Sequence, residues 1–155
     1  MLHMRIVRFL AYFAGILILG VHVAGTTTPG TQATVDVRAL LDRQVAAWNR
    51  GDLDGYMAGY WNSPELTFYS NGKPTFGWQP TLQHYRERYQ QNKNGMGKLA
   101  FNVQLEQIDT TVVLGKGEWG LTMPDGSKPH GLTTLIVRKL PEGWRIVHDH
   151  SSSSQ

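Results

Sequence analysis

The sequence contains no cysteine. This absence excludes disulfide bonds, thiol catalysis and thiolate metal sites, so a bound metal would need histidine or carboxylate ligands. The chain also lacks any run of lysine and arginine, whereas nucleic-acid binders normally carry a clustered basic patch. Without Arg5 and Arg8, which precede the first apolar stretch, the chain has 13 basic and 12 acidic side chains and is nearly neutral. We therefore expect no nucleic-acid partner.

The sequence has one long apolar-to-neutral stretch, at residues 9–25, and it follows two arginines. A basic start, an apolar stretch and small residues before a polar segment are typical of a secretory signal peptide. Val23 and Gly25 suit the small-residue positions of the cleavage site. Residues 1–25 are thus predicted to be a signal peptide, and the mature chain to begin near Thr26.

The alternative is an uncleaved anchor, although 17 residues are at the short limit for a membrane span, which needs about 20. We predict cleavage because small residues and a polar segment follow directly. The protein is then secreted or periplasmic and has no stable membrane insertion. Residues 26–33 are predicted to be a linker, and residues 34–155 one domain.

The first part of the domain has helical periodicity. Apolar residues recur at i, i+3 and i+4 spacing from Val37 to Trp48, which predicts a helix that ends at Gly51. Asp52 can cap a second short helix through Tyr60. A third helix is predicted to start at Pro80 or Thr81, with its apolar side formed by Leu82, Tyr85 and Tyr89.

The remaining segments alternate with period two and predict strands. The first runs from Leu66 to Ser70 and ends at Asn71-Gly72, a pair that favours a tight hairpin turn. Four more are predicted from Lys98, from Thr111 to Leu121, from about His130 to Leu140, and from Trp144 to Ser151. Helices packed on one face of such a sheet predict a single α+β domain.

Three segments in this order resemble the nuclear transport factor 2-like superfamily, and in particular its SnoaL-like group, which includes the association domain of calcium/calmodulin-dependent kinase II. They are residues 48–52 (WNRGD), 68–72 (FYSNG) and 143–152 (GWRIVHDHSS). The resemblance covers roughly residues 37–152. It implies a cone-shaped α+β fold in which three N-terminal helices pack on a curved antiparallel sheet around one pocket.

Members of this superfamily include ketosteroid isomerases, hydratases, dehydratases, polyketide cyclases, ligand-binding modules and assembly domains, so the fold alone fixes no function. The chain lacks the isomerase pattern, because its first helix offers Gln44 and Trp48 but no tyrosine. Tyr69 and Ser70 stand where the isomerase base would fall. The kinase-type pocket arginines are also replaced, here by Glu118, Leu135 and Ser151.

Asp149 and Glu118 are the candidate catalytic residues. The resemblance places the face of the last strand that carries Val147, Asp149 and Ser151 inside the cone, and it places Glu118 inside on the second strand of the meander. Two carboxylates in one apolar pocket would raise one pKa and set a proton donor beside an acceptor. The alternative is that each carboxylate only accepts structural hydrogen bonds.

Further side chains are candidate ligand contacts. Aromatic rings with polar tips can form a pocket wall or simply fill a core. The same register places three residues of the last two strands inside the cone. The candidate binding residues are Trp61, Tyr69, Tyr85, Tyr89, Thr133, Leu135 and Ser151.

His148 and His150 lie at i and i+2 on one strand and could chelate a metal together with His130 or His84. Two histidines specify a metal site poorly. We expect instead that both rings pack with Trp144 and Ile146 on the outer sheet face, where related proteins dimerise.

Together these observations predict an exported domain that binds a small organic molecule in a single cone pocket and forms a homodimer. No motif for a cofactor or a metal is present. The alternatives are a cofactor-free isomerase, hydratase, dehydratase or cyclase that uses the pocket carboxylates, and a homo-oligomeric assembly module. The sequence leaves open whether the protein is an enzyme.

Overall fold

The computed structural model describes residues 31–90 and 95–154. Its helices are α1 (Gln32–Asn49), α2 (Leu53–Met57) and α3 (Trp78–Tyr85), and α3 continues into the π-helical segment Arg86–Gln90. Its strands are β1 (Thr67–Ser70), β2 (Lys73–Phe76), β3 (Lys98–Gln107), β4 (Val112–Thr122), β5 (His130–Leu140) and β6 (Gly143–Ser151). The predicted signal peptide, residues 1–25, lies outside the described residues.

The first two helices are set by their capping residues. The Thr31 side chain caps α1 by accepting a hydrogen bond from the Thr34 backbone, so this helix begins inside the predicted linker. Gly51 ends it at a φ of +82°, which a residue without a Cβ adopts without strain. Asp52 Oδ1 then accepts a 2.7 Å hydrogen bond from the Gly55 backbone at the start of α2, as the capping pattern predicted.

The six strands form one sheet in the order β2-β1-β6-β5-β4-β3. Asn71 and Gly72 both have positive φ and close the predicted hairpin between β1 and β2. Strands β3 to β6 form the predicted antiparallel meander. The sheet is not wholly antiparallel, however, because β1 runs parallel to β6, with Phe68 paired to Asp149. This long-range pairing places the residues of β1 beside the end of β6.

The core lies between the helices and one face of the sheet. Val37, Leu40 and Leu41 of α1 are almost fully buried, as the helical periodicity predicted. The α+β cone fold is therefore confirmed, with α1 packed across β3.

A β-bulge in β6 changes which side chains face this core. Ile136 pairs with His148, whereas the next residue of β5 pairs with Ile146, so Val147 is an extra residue in β6. Trp144 and Ile146 before the bulge are buried in the core, and Asp149 after it also faces inward. The prediction that Trp144 and Ile146 pack on the outer face with the histidines is wrong, because it assumed unbroken alternation.

Candidate functional site

Asp149 is the buried polar centre of the domain, with only 3% of its surface exposed. Its Oδ2 accepts a 2.8 Å hydrogen bond from the Tyr60 hydroxyl. Its Oδ1 accepts hydrogen bonds from Ser151 Oγ at 2.8 Å and Thr133 Oγ1 at 3.4 Å. Burial raises the pKa of Asp149, and these three hydroxyl groups offset part of that rise.

A chain of tyrosine hydroxyl groups leads to this carboxyl. The Tyr56 hydroxyl lies 3.2 Å from that of Tyr60 and 3.4 Å from that of Tyr85. Each phenol has one proton, and Tyr60 donates its proton to Asp149. Tyr56 must therefore donate to Tyr60, and Tyr85 to Tyr56, so the three donors point in sequence toward the carboxyl. Burial raises the pKa of all three phenols, which stay protonated.

Two short elements position these tyrosines. Tyr56 lies on α2, and Tyr60 follows one turn later, where it forms a bridge with Ile146 of β6. Tyr85 is the last residue of α3. The i, i+4 spacing of Tyr56 and Tyr60 is visible in the sequence. Their role at Asp149 was missed because Tyr60 and Asp149 are 89 positions apart in the chain.

A cavity of about 50 Å³ lies in front of the Asp149 carboxyl and is open to solvent. Ligand pockets of drug-sized molecules are about 300–1,000 Å³, so only a very small molecule fits unless side chains move. Most of the wall is aromatic or aliphatic, with hydroxyl groups near the floor. The lining residues are Trp48, Tyr56, Phe68, Ser70, His84, Tyr85, Arg88, Tyr89, Leu99, Phe101, Trp119, Leu121, Thr133, Asp149, Ser151 and Ser153.

Two basic side chains from the third helical region also line the cavity. Burial and the nearby Arg88 lower the pKa of His84, so this imidazole is neutral near pH 7. The Arg88 guanidinium carbon lies 5.6 Å from the centre of the Tyr89 ring, a cation–π distance. Arg88 and Tyr89 belong to the π-helical segment, a helix form that is frequent at functional sites.

The structure places five of the predicted site residues around this one cavity: Asp149, Tyr85, Tyr89, Thr133 and Ser151. Sequence reasoning did not assign five of its lining residues to it: His84, Arg88, Phe101, Trp48 and Trp119. These residues carry ordinary amphipathic patterns, which do not distinguish a cavity wall from a core.

Four predicted site residues lie elsewhere. Glu118 is exposed on the outer sheet face, so the prediction that it meets Asp149 in the pocket is wrong. Tyr69 is also on the outer face, where its ring contacts those of His148 and His150. Trp61 and Leu135 do not line the cavity either, and Leu135 is fully packed in the core.

The physical reason lies in the pleat of β4. Trp119 and Leu121 point toward the cavity, and side chains alternate along a strand, so Glu118 must point away. Gly117 permits a close approach between neighbouring strands, because a Cβ there would stand 2.0 Å from the Asn102 carbonyl oxygen. A glycine inside a strand often marks such a close approach of another backbone.

The outer-face histidines have their own partners. His148 Nδ1 lies 2.6 Å from Thr67 Oγ1, and burial lowers the pKa of His148. Within residues 31–90 and 95–154, no group of three or more histidine and acidic side chains is arranged to hold a metal ion. None of the helices described there is long and apolar enough to cross a membrane.

Comparison with known proteins agrees with this architecture. An NTF-2 like protein of unknown function from Shewanella oneidensis MR-1 is 40% identical, with a TM-score of 0.73 over 77% of this chain and 98% of that chain. A ketosteroid isomerase-like protein from Erwinia carotovora atroseptica SCRI1043 is 15% identical, with a TM-score of 0.66 over 81% and 99% of the two chains. No curated protein matches the chain in sequence.

A chain of the calcium/calmodulin-dependent protein kinase II association-domain type from Xanthomonas campestris is 19% identical, with a TM-score of 0.65 over 81% of this chain and 91% of that chain. At this identity, the last two similarities concern the fold alone. The family model of the SnoaL-like domain matches residues 37–154. The chain therefore belongs to the SnoaL-like family of the nuclear transport factor 2-like superfamily.

Proposed function

We propose that this domain binds a small, largely apolar organic molecule in the cavity in front of Asp149. The observation that carries this proposal is the Asp149 carboxyl, which is buried, held by three hydroxyl donors and set behind an aromatic wall. An apolar cavity with a few convergent polar groups is the usual form of a small-molecule site. Such a carboxyl would orient a ligand hydroxyl by accepting its hydrogen bond or, when protonated, a ligand carbonyl by donating one.

The size of the cavity defines what binding requires. At about 50 Å³ it is smaller than the cavity of about 150 Å³ that admits benzene in another protein. A ring-sized ligand must therefore displace a side chain of the wall. Tyr89 is one such side chain: it is only partly buried, and its ring packs edge-on against Trp48, with 4.8 Å between ring centroids.

The test uses two acidic residues of the same sheet, one on each face. Native mass spectrometry would compare the purified full chain with Asp149→Asn and Glu118→Gln variants for a retained small molecule. We expect a reproducible added mass on the wild type and the Glu118 variant, and at least about tenfold weaker retention by the Asp149 variant, the equivalent of one lost hydrogen bond to a charged group. Equal loss in both variants, or no added mass on any of them, would contradict the proposal.

Acid/base catalysis in the same cavity is the second candidate function. The observation favouring it is that His84, with a lowered pKa, lines the same cavity as Asp149, with a raised pKa. Environments that shift the pKa values of two neighbouring groups can supply a proton acceptor and a donor. An enzyme would lose turnover of the retained compound in a His84→Gln variant that still binds it, whereas a binding protein shows no turnover in either form.

We also propose that the domain forms a homodimer through the outer sheet face. Leu132 is 61% exposed and Ile136 36%. Both lie on β5, where Ile136 pairs with His148, whose ring contacts that of Tyr69. An exposed apolar patch of this kind favours self-association over solvent exposure.

Light scattering after size exclusion should give a dimer mass for the wild type and a monomer mass for Leu132→Asp. The exposed position of Leu132 means that the substitution should leave the fold of the monomer intact. A wild-type monomer at tens of micromolar would contradict the dimer, and leave no support for an assembly module.

Export of the protein remains a proposal that rests on the sequence of residues 1–25. Fractionation of an exporting host, with N-terminal sequencing of the product, should find a mature chain that begins near Thr26. A chain that retains Met1 in the membrane fraction would indicate the anchor instead.

A further inference from the structure

The hydroxyl groups around the Asp149 carboxyl spend their protons inside the protein. Ser151 Oγ and Thr133 Oγ1 both donate to Asp149 Oδ1, at 2.8 Å and 3.4 Å. The Tyr60 hydroxyl donates to Oδ2 at 2.8 Å. A hydroxyl group has one proton to donate, but its lone pairs can still accept hydrogen bonds. Each of these three groups has therefore given its only proton to the carboxyl.

The tyrosine chain extends this polarity along the cavity wall. Because Tyr60 donates to Asp149, Tyr56 donates to Tyr60 across 3.2 Å, and Tyr85 donates to Tyr56 across 3.4 Å. Tyr56, Tyr85 and Asp149 all line the cavity. The protons of the chain thus point away from Tyr85 and toward the carboxyl, and the Tyr85 oxygen is the open, accepting end of the chain.

The two indole N–H groups of the wall are occupied as well. Trp48 Nε1 donates to the Met96 carbonyl oxygen at 3.1 Å, and Trp119 Nε1 donates to the Ser152 carbonyl oxygen at 2.9 Å. Some lining side chains do keep a donor without a hydrogen-bond partner among the described residues: Ser70, His84, Arg88 and Tyr89. All four are partly buried or exposed, whereas Asp149 is fully buried. The side chains of the buried floor therefore offer lone pairs alone.

We infer that the small molecule of the proposed function carries a hydroxyl group, which donates a hydrogen bond to this accepting floor. The inference rests on the proposed function and selects one of the two ligand groups that Asp149 can orient. A ligand carbonyl or ether oxygen at the floor would lose its hydration and face lone pairs, which is costly. An ammonium group also donates, but the positive charge of Arg88 at the same cavity disfavours a second cation. The ligand is thus an alcohol with an apolar body.

Tyr60 is the positioning residue that sets the polarity of the floor. It is 2% exposed and is not among the residues that line the cavity. In a Tyr60→Phe variant, Tyr56 loses the acceptor that fixes the direction of its proton. Tyr56 is then free to donate to Tyr85, which releases the Tyr85 proton for the cavity. The variant should present a donor where the wild type presents lone pairs.

The experiment measures binding of cyclohexanol and cyclohexanone, two rings of nearly equal shape, to the isotopically labelled full chain by NMR. The indole N–H signals of Trp48 and Trp119 report on the cavity, because both residues line it. Tyr60→Phe tests the direction of the tyrosine chain, and Tyr85→Phe removes its open end. Tyr69→Phe removes a hydroxyl group from the outer sheet face and is the matched control.

We expect cyclohexanol to bind about tenfold more tightly than cyclohexanone to the wild type and to Tyr69→Phe, the factor expected for one hydrogen bond. In Tyr60→Phe and Tyr85→Phe, the ratio of the two affinities should fall to about one or below. A general loss of packing would weaken both compounds alike and leave this ratio unchanged.

Equal affinities in the wild type, or tighter binding of cyclohexanone, would overturn the inference and leave the proposed function standing. A ratio that both phenylalanine variants of the chain retain would overturn the role of the tyrosines. The absence of saturable binding of either compound would overturn the inference and the proposed function together.

Discussion

Replacing Asp149 by asparagine should change how the stability of the domain depends on pH. Burial raises the pKa of Asp149, so the folded state holds its proton over a pH range in which the unfolded state has already lost it. Stability is therefore greatest below the unfolded pKa of about 3.9 and falls as the pH rises toward the folded pKa. The asparagine side chain has nearly the same shape as the aspartate it replaces, still accepts from one hydroxyl donor and does not titrate.

The magnitude follows from linkage. Within the window between the two pKa values, one proton distinguishes the folded from the unfolded chain, so the free energy of unfolding falls by about 1.4 kcal/mol per pH unit. Three exposed carboxylates have lowered pKa values and contribute the opposite slope. They are Asp52, Asp109 and Asp125, and their contribution is the same in both proteins.

The assay is urea unfolding of the wild type and the Asp149→Asn variant at intervals from about pH 3.5 to about pH 8, a range that begins below the unfolded pKa. Subtracting one free-energy curve from the other isolates Asp149, and the stability of the wild type relative to the variant should fall with rising pH. Glu118→Gln, which removes one carboxylate from the exposed face of the same sheet, is the matched control. A difference curve that is flat, or that rises with pH, would refute a raised pKa at Asp149.

Two other substitutions test the surroundings of the site and the pleat of the sheet. Tyr60→Phe removes the 2.8 Å donor to Asp149; we expect urea unfolding to show a loss of about 1–3 kcal/mol, with the pH-sensitive range extended upward because that donor lowers the Asp149 pKa. An unchanged midpoint would mean that the hydrogen bond contributes nothing. Gly117→Ala places a Cβ 2.0 Å from the Asn102 carbonyl oxygen, whereas at Gly120 the nearest atom is 4.0 Å away. Gly117→Ala should lower the free energy of unfolding by about 2 kcal/mol or more, and Gly120→Ala should lower it by much less. Thermal melts of the two variants would measure the difference. Similar losses in both would contradict the close approach at Gly117.

The helices could be predicted from the sequence because their signals are local. Val37 and Leu41 repeat at helical spacing, and Gly51 and Asp52 mark the boundary between two helices through their backbone preferences. The predicted start of α3 is two or three residues late, because the helix begins at Trp78, ahead of the proline taken as its first residue. That proline sits in the first turn, where its missing N–H is not needed.

The face of β4 could not be predicted reliably, for a physical reason. Gly115, Gly117 and Trp119 follow one another at every second position on the inner side of β4. Because glycine has no side chain, its hydropathy does not indicate which face of the strand points inward. The expectation that Glu118 lies inside came from the resemblance and not from the strand pattern. In the structure, Lys116 and Glu118 are exposed on one side of β4 and Leu121 is buried on the other. Only this difference in exposure shows which side chains of the strand point inward.

The site itself depends on contacts that are distant in sequence. Tyr60 reaches Asp149 only because its segment bridges to Ile146. Nothing in a local pattern reports such a pairing, whereas Asp149 could be placed in the pocket because the resemblance of residues 143–152 to the superfamily implies which face of the last strand points inward. The sequence thus identified the carboxyl and two of its donors, Thr133 and Ser151, as residues of one pocket, and missed the third donor, Tyr60.

The bulge at Val147 affects both the curvature of β6 and the face on which each of its side chains lies. The two effects can be changed separately. Ile146 and Asp149 are three positions apart, an odd spacing, yet both face inward. Deleting Val147 would reduce the spacing to two and keep both side chains inside, while straightening a strand that the bulge bends. Deleting Arg145 instead would turn Trp144 outward. A protein engineer could therefore flatten the sheet at residue 147 without exchanging its inner and outer surfaces.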